Sequence, residues 1–169
     1  ILAVPDFRVN ERGFQIMEQV SGRAGRADGK GIVLIQTRNA MHPIIQQVKQ
    51  HDYKNFYLNE INFRNEFQYP PFMRLIKIIC KHKNEEKVKE GALKLLDQLK
   101  QMTTIYLQGP APALVSKVKT YYLEEIIVKI DKSTKNLQNI KYEIAQHCNN
   151  TTNLKGLSGL QININVDPS

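Results

Sequence analysis

The strongest constraint on the fold lies between Leu75 and Val166, where the apolar spacing switches back and forth between the strand period and the helix period. Ile76, Ile78 and Cys80 alternate, as a strand with one buried face requires. From Asn84 the period lengthens. Val88, Ala92, Leu95 or Leu96, and Leu99 share one helical face; Asn84 can cap it, and Glu85 and Glu86 sit in the first turn beside the positive end of the helix dipole. Thr104 to Gln108 is predicted as a second strand, closed by Gly109-Pro110-Ala111-Pro112, and Tyr121 to Ile130 as a third, with Ile126, Val128 and Ile130 alternating. Ser133 is expected to cap a second helix that holds Leu137, Ile140, Ile144 and Cys148 in register. Finally Leu160, Ile162, Ile164 and Val166 alternate strictly with Gln161, Asn163 and Asn165. The order βαββαβ predicts a ferredoxin-like α+β domain over 72–169, an antiparallel sheet with two helices on one face.

The first part reads differently. Ile1 to Val4 is a short apolar run stopped by Pro5, and Ile32 to Ile35 is a continuous apolar run of the kind buried on both faces of a parallel sheet. Between them, after a loop to about Arg12, a helix is expected from about Glu11 to about Arg26, with Phe14, Met17 and Val20 on its apolar face. Strand, helix, strand is the order of an α/β lobe, and 1–52 would be its end. Pro43 to Gln50 is predicted as a helix, and Asp52 to Phe67 as another that Pro70-Pro71 terminates. The stretch 53–71 reads as a helical connector, with Tyr53, Phe56 and Tyr57 at core spacing.

Charge separates these parts. The chain carries 24 Lys+Arg against 16 Asp+Glu, a formal +8. Residues 1–52 hold seven basic and five acidic side chains, 53–71 two and two, and 72–169 fifteen and nine. The last part is therefore the one that would attract a polyanion such as DNA. Lys117, Lys119, Tyr121 and Tyr122 combine charge with stacking rings at the start of the third strand, and Lys129 lies within it. Cys80 and Cys148 stand far apart at apolar positions, which argues for reduced core thiols in a cytoplasmic protein and against a zinc knuckle or a disulfide framework. No window approaches a membrane span.

The most specific word is Gln19-Val20-Ser21-Gly22-Arg23-Ala24-Gly25-Arg26. Two arginines three apart on one helical turn, each flanked by small residues, can both reach one anion, and their planar forks suit a polyphosphate. The octet resembles the sixth motif of superfamily-two helicases. With Pro5-Asp6-Phe7-Arg8, Glu11-Arg12, Phe14-Gln15, His51-Asp52-Tyr53, Glu60-Ile61, Arg64, Tyr69-Pro70-Pro71-Phe72, Gly109-Pro110-Ala111-Pro112 and Val166-Asp167-Pro168, the chain is similar to the C-terminal part of the primosomal protein N′ family of replication-restart helicases. The likeness is dense up to Leu75 and rests on fewer words beyond.

The resemblance implies that 1–52 ends the second RecA-like lobe, and that Arg23 and Arg26 are arginine fingers on ATP and magnesium held mainly by the first lobe, with Gln19, Gly22 and Gly25 at the nucleotide. It implies branched and single-stranded DNA, single-stranded-DNA-binding protein and other primosome proteins as partners, with Thr134, Lys135 and Gln138 at a protein contact, and cysteine-held zinc upstream. Two other readings are a self-contained nucleic-acid-binding adaptor and another two-lobe translocase, such as an RNA helicase. The chain has no Gly-x-x-x-x-Gly-Lys-Ser/Thr loop. Without a group to hold the β- and γ-phosphates, arginine fingers alone do not hydrolyse ATP. The 169-residue chain should therefore show no ATPase activity with or without DNA, in a coupled assay; turnover that disappears in Arg23→Ala would contradict this.

Overall fold

A computed structural model of the chain describes residues 6–24 and 31–168. The chain divides into two compact units, Ile1–Phe67 and Gln68–Ser169. The expected run Ile1 to Val4, together with Gly25 and Arg26, lies outside the described residues.

The first unit holds α1 (Val9–Ala24), α2 (Pro43–Lys49) and α3 (Tyr53–Glu66). Helix α1 begins earlier than its apolar face predicts, because Asp6 closes the turn before it: its carboxylate accepts the Arg8 N–H at 2.9 Å and its carbonyl the Val9 N–H at 3.0 Å. Asp52 caps α3 by accepting the Asn55 N–H at 3.1 Å. Phe14 stacks on Phe56 with ring centroids 4.2 Å apart, and Ile44, Val48 and Met17 pack around the pair. Here the sequence expectation needs correcting, since Val20 is 50% exposed and does not join that face. Of Tyr53, Phe56 and Tyr57 on α3, only Phe56 is core; Tyr53 and Tyr57 are exposed.

A larger correction concerns Ile32 to Ile35. The segment is not a strand, and Ile32 and Leu34 are 85% and 91% exposed. A strand of this kind is stable only between neighbours that pair with both its edges and cover both its faces. No strand occurs among the described residues of the first unit. The stretch 53–71 likewise does not stand apart: α3 packs within the first unit and 68–71 falls in the second.

In the second unit, β1 (Met73–His82), α4 (Glu85–Leu99), β2 (Ile105–Val118), β3 (Tyr121–Asp131), α5 (Leu137–Thr152) and β4 (Gln161–Val166) follow in the expected order. The sheet runs β2-β3-β1-β4 and every pairing is antiparallel. This is the split-βαβ arrangement, since each helix links two strands that have a third between them. Ile76, Ile78 and Cys80 of β1 and Ile126, Val128 and Ile130 of β3 form one core with Val88, Ala92, Leu95 and Leu99 of α4 and Ile140, Ile144 and Cys148 of α5. Both helices therefore cover one face of the sheet. Asn84 caps α4 as expected, accepting the Lys87 N–H at 3.1 Å.

Two local expectations fail. Strand β2 does not stop at Gly109 but continues to Val118, with register shifts between Gln108 and Ala111 and between Pro112 and Lys117. As an edge strand it can absorb Pro110 and Pro112 at these irregularities, where a missing N–H breaks no ladder bond. Gly109 adopts φ +100°, and a Cβ there would meet the Glu125 carbonyl oxygen at 2.6 Å. Ser133 does not cap α5. Its N–H and hydroxyl both donate to the Asp131 carboxylate, at 2.7 and 2.6 Å, in a turn before the helix, and Asn136 occupies the N-cap.

Burial pushes both cysteine thiols up to about 12, as expected of inert core residues. Glu124 is also buried on the helix side of the sheet, 6% exposed, and desolvation raises its carboxyl pKa, with Glu85 adding and Lys89 opposing. A carboxyl raised in the folded state contributes stability below its unfolded value and loses it as pH rises through the folded value. Glu124→Gln should consequently raise the melting temperature at pH 7 and give a difference that shrinks toward pH 4. Leu95→Ala, at a fully buried position, should cost about 2–5 kcal/mol in denaturant unfolding.

Candidate nucleic-acid interface

The residues that could meet a polyanion converge where β1, β2 and β3 end together. The register pairs His82 of β1 with Tyr122 of β3, and Lys117 of β2 with the same tyrosine. Lys117 Nζ lies 4.5 Å from the Tyr122 ring centroid and donates to the Tyr122 hydroxyl at 3.1 Å. Lys81 and Lys83 approach the neighbouring ring, each ammonium 5.9 Å from the Tyr121 centroid. Lys119 forms the turn between β2 and β3 with φ +54° and is exposed.

His82 fixes this end of the sheet. It is buried, its Nδ1 accepts the Asn84 N–H at 2.8 Å, and Nε2 then carries the proton and donates to the Ser158 carbonyl at 3.0 Å. Among the described residues, Lys81, Lys83, Lys117 and Lys119 pair with no carboxylate, whereas Lys77, Lys89, Lys94 and Lys100 do. Successive strand residues face opposite ways, so Lys81 and Lys83 gather at the Tyr121 ring toward the open face of the sheet and Lys117 at the Tyr122 ring toward the helix-covered face, two clusters flanking one end of the sheet. Phosphates can neutralise the ammonium groups, and a ring of this kind can stack on a base.

The sequence singled out four of these six residues. Lys81 and Lys83 were missed because they lie far from the hairpin in sequence, and only strand pairing brings them to it. Lys129 does not belong to the group. It is 5% exposed, its ammonium rests 4.3 Å from the Tyr69 ring centroid, and burial lowers its pKa. An ammonium covered in this way is not presented to a phosphate in solvent.

Thr134, Lys135 and Gln138 lie at the other end of β3, in the turn before α5 and on its first turn, with Lys135 and Gln138 exposed. Strand β3 covers 11 residues, so the two groups stand roughly 33 Å apart at the usual rise per residue. They are separate surfaces.

In the first unit, Gln19, Gly22 and Arg23 are exposed on the last turns of α1. No carboxylate pairs with Arg23 among the described residues. The neighbouring words Glu11, Glu60 and Arg64 serve packing instead: Arg64 bonds Glu11 at 2.8 Å, lies 3.7 Å from Glu60, and sits 5.4 Å from the Phe7 ring centroid, while Asn10 donates to Glu60 at 2.9 Å. This clasp joins α1 to α3. Among the described residues no helix is long and apolar enough to cross a membrane.

Residues 65–169 match the family described as Primosomal protein N C-terminal domain. The replication restart protein PriA of Synechocystis sp. is 36% identical over 170 residues, which covers 99% of this chain and 19% of the relative. The protein of the same name from Bacillus subtilis is 36% identical over 154 residues, 86% of this chain and 19% of the relative, and that of Treponema pallidum 37% over 130 residues, 76% and 20%. The chain thus spans about a fifth of the length of these curated relatives. A crystal structure of a hydantoinase/carbamoylase family amidase from Burkholderia ambifaria aligns with 56% of this chain and 27% of that chain, at a TM-score of 0.36 and 8% identity, too slight a likeness to argue from.

Proposed function

This chain belongs to the PriA family of replication restart proteins, and on that premise we propose that it is the C-terminal part of an ATP-dependent 3′–5′ DNA helicase that recognises stalled forks and reassembles the primosome. The observation that supports a DNA contact most directly is the placing of Lys81 and Lys83 beside the Tyr121 ring and of Lys117 beside the Tyr122 ring at one end of the sheet, with Lys119 in the adjoining turn. Close ammonium groups repel one another, and a phosphate chain laid across them removes that repulsion while releasing its own counterions. The rings add a sequence-tolerant contact for an unpaired base, which suits branched and single-stranded DNA.

At the other end of the chain, Arg23 projects from the last turn of α1 into solvent. In the whole protein this side chain and Arg26 would stabilise charge on the transferring phosphoryl group of ATP held with magnesium by the first lobe, with Gln19, Gly22 and Gly25 beside it. The bare side chains of Ile32 and Leu34 are what a completed RecA-like lobe would cover. Zinc belongs to cysteines upstream. Thr134, Lys135 and Gln138 form a contact for the acidic tail of single-stranded-DNA-binding protein, away from the DNA surface.

Fluorescence anisotropy with a forked oligonucleotide tests the DNA contact. Four neutralised phosphates give a slope of log K against log salt of about −3 to −4, and Lys81→Ala/Lys117→Ala should flatten it by roughly 2 and weaken binding at every salt concentration. Lys129→Met should leave binding unchanged. Salt-independent binding, or equal losses in the two variants, would refute the assignment, and tighter binding to single-stranded RNA than to forked DNA would favour a different translocase.

A further inference from the structure

Tyr53, Phe56, Tyr57, Glu60 and Arg64 follow one another on α3 at spacings of three and four, so they share the stripe of the helix that meets α1. The contact is incomplete. Glu11 and Gln15, one turn apart on α1, face this stripe across a cavity of about 150 Å³. The buried Phe56 ring, stacked on Phe14, closes its inner side, and the exposed rings of Tyr53 and Tyr57, with centroids 6.4 Å apart, stand at its mouth. A cavity of this size holds a group about as large as a benzene ring, whereas cofactor pockets start at roughly 300 Å³. It is a space for one side-chain end.

Charge narrows the occupant further. The lining carries two carboxylates and one guanidinium, and both ion pairs go to the same partner: Arg64 lies 2.8 Å from Glu11 Oε2 and 3.7 Å from Glu60 Oε2. Glu60 accepts the Asn10 amide through Oε1 at 2.9 Å, while its Oε2 has no hydrogen bond and is closed to water. A ligand therefore does not bond Glu60 Oε2, but the charge is poorly screened there and adds to the field in the cavity. Glu11 is different. Its Oε1 meets only the Gln15 amide, at a long 3.4 Å, and its side chain is partly exposed, so this oxygen is open to a donor.

We propose that the cavity receives an arginine side chain of a partner polypeptide, with the guanidinium against the Tyr53 and Tyr57 rings and donating to Glu11. A phosphate would meet two carboxylates here. An ammonium would have to shed tightly held water, whereas a guanidinium is flat and weakly hydrated, stacks on tyrosine rings and offers two N–H groups to one carboxylate. Because the tyrosines stand at the mouth, the backbone that bears the arginine can lie outside while only the head enters. The site is independent of the basic surface on the sheet, since it has the opposite charge and lies in the other unit.

Amide NMR spectra of the 169-residue chain, recorded during titration with a blocked Gly-Arg-Gly peptide, should show saturable shifts at Tyr53, Tyr57 and Glu60. Citrulline in place of the arginine keeps the shape and removes the charge, and should weaken binding by about tenfold or more. A blocked Gly-Lys-Gly peptide should also bind more weakly than the arginine peptide. Tyr57→Ser changes an exposed ring and should weaken the arginine peptide about two- to fivefold with an unchanged thermal melt. Shifts that do not saturate, a citrulline or lysine peptide that binds as tightly, or a folded Tyr57→Ser variant of undiminished affinity would overturn the proposal. So would spermidine or a single-stranded oligonucleotide that shifts the same residues at lower concentration than the peptide, since the cavity would then serve a small cation or a base. If Tyr57→Ser fails to fold, the comparison of the arginine, citrulline and lysine peptides decides.

Discussion

The second unit depends on one packing arrangement, the laying of α4 and α5 over the central strands β1 and β3. Ile78, Cys80, Ile126, Val128 and Ile130 are 0% exposed beneath Leu95, Leu99 and Ile144. Burial of this kind is worth about 25 cal/mol per Å² of apolar surface, and it commits the even-numbered side chains of both strands to one face. Everything else in the unit follows from that commitment. The odd-numbered side chains, among them Lys77, Lys81 and Glu125, are left for the other face, and β2 and β4 become edges whose backbones are half satisfied.

The same register decides the electrostatics. Because β1 and β3 run antiparallel from Met73↔Asp131 to His82↔Tyr122, the last lysines of β1 arrive beside the first tyrosines of β3. What covers each side chain then separates two kinds of lysine. Those beside Tyr121 and Tyr122 pair with no carboxylate among the described residues. Lys129, near the opposite end of β3, is covered beside Tyr69 and has its pKa lowered by desolvation. Net charge alone does not distinguish the two.

The first unit is held by a smaller cluster, the Phe14–Phe56 stack with Ile44 and Val48, backed by the Arg64 clasp. These contacts present the last turns of α1 rather than bury them. Gln19, Gly22 and Arg23 stay exposed at that helix end, as do Ile32 and Leu34. The residues that build the clasp, Asn10 and Glu11, lie at the start of α1, and the word that resembles a helicase motif lies at its end.

Much of the second unit was legible in residue order. The alternation of Ile76, Ile78 and Cys80, the Asn84 cap with its acidic first turn, and the faces of both helices are local patterns, and local patterns are carried by neighbouring residues whatever the chain does elsewhere. The run Ile32 to Ile35 was misread because a two-face-buried strand is a property of its neighbours, and the same four residues without them are exposed loop. Ser133 was misread because Asp131 draws it into a turn of its own and the helix starts only at Leu137, beyond the reach of its side chain. What no sequence pattern held was the pairing of strands: the meeting of Lys81 and Lys83 with Tyr121, and the burial of Lys129. The sequence by itself determined which segments become helix or strand and which side of each is apolar. Only the tertiary structure decided which distant segments touch, since a period is set by adjacent side chains and a register by the free energy of the whole sheet.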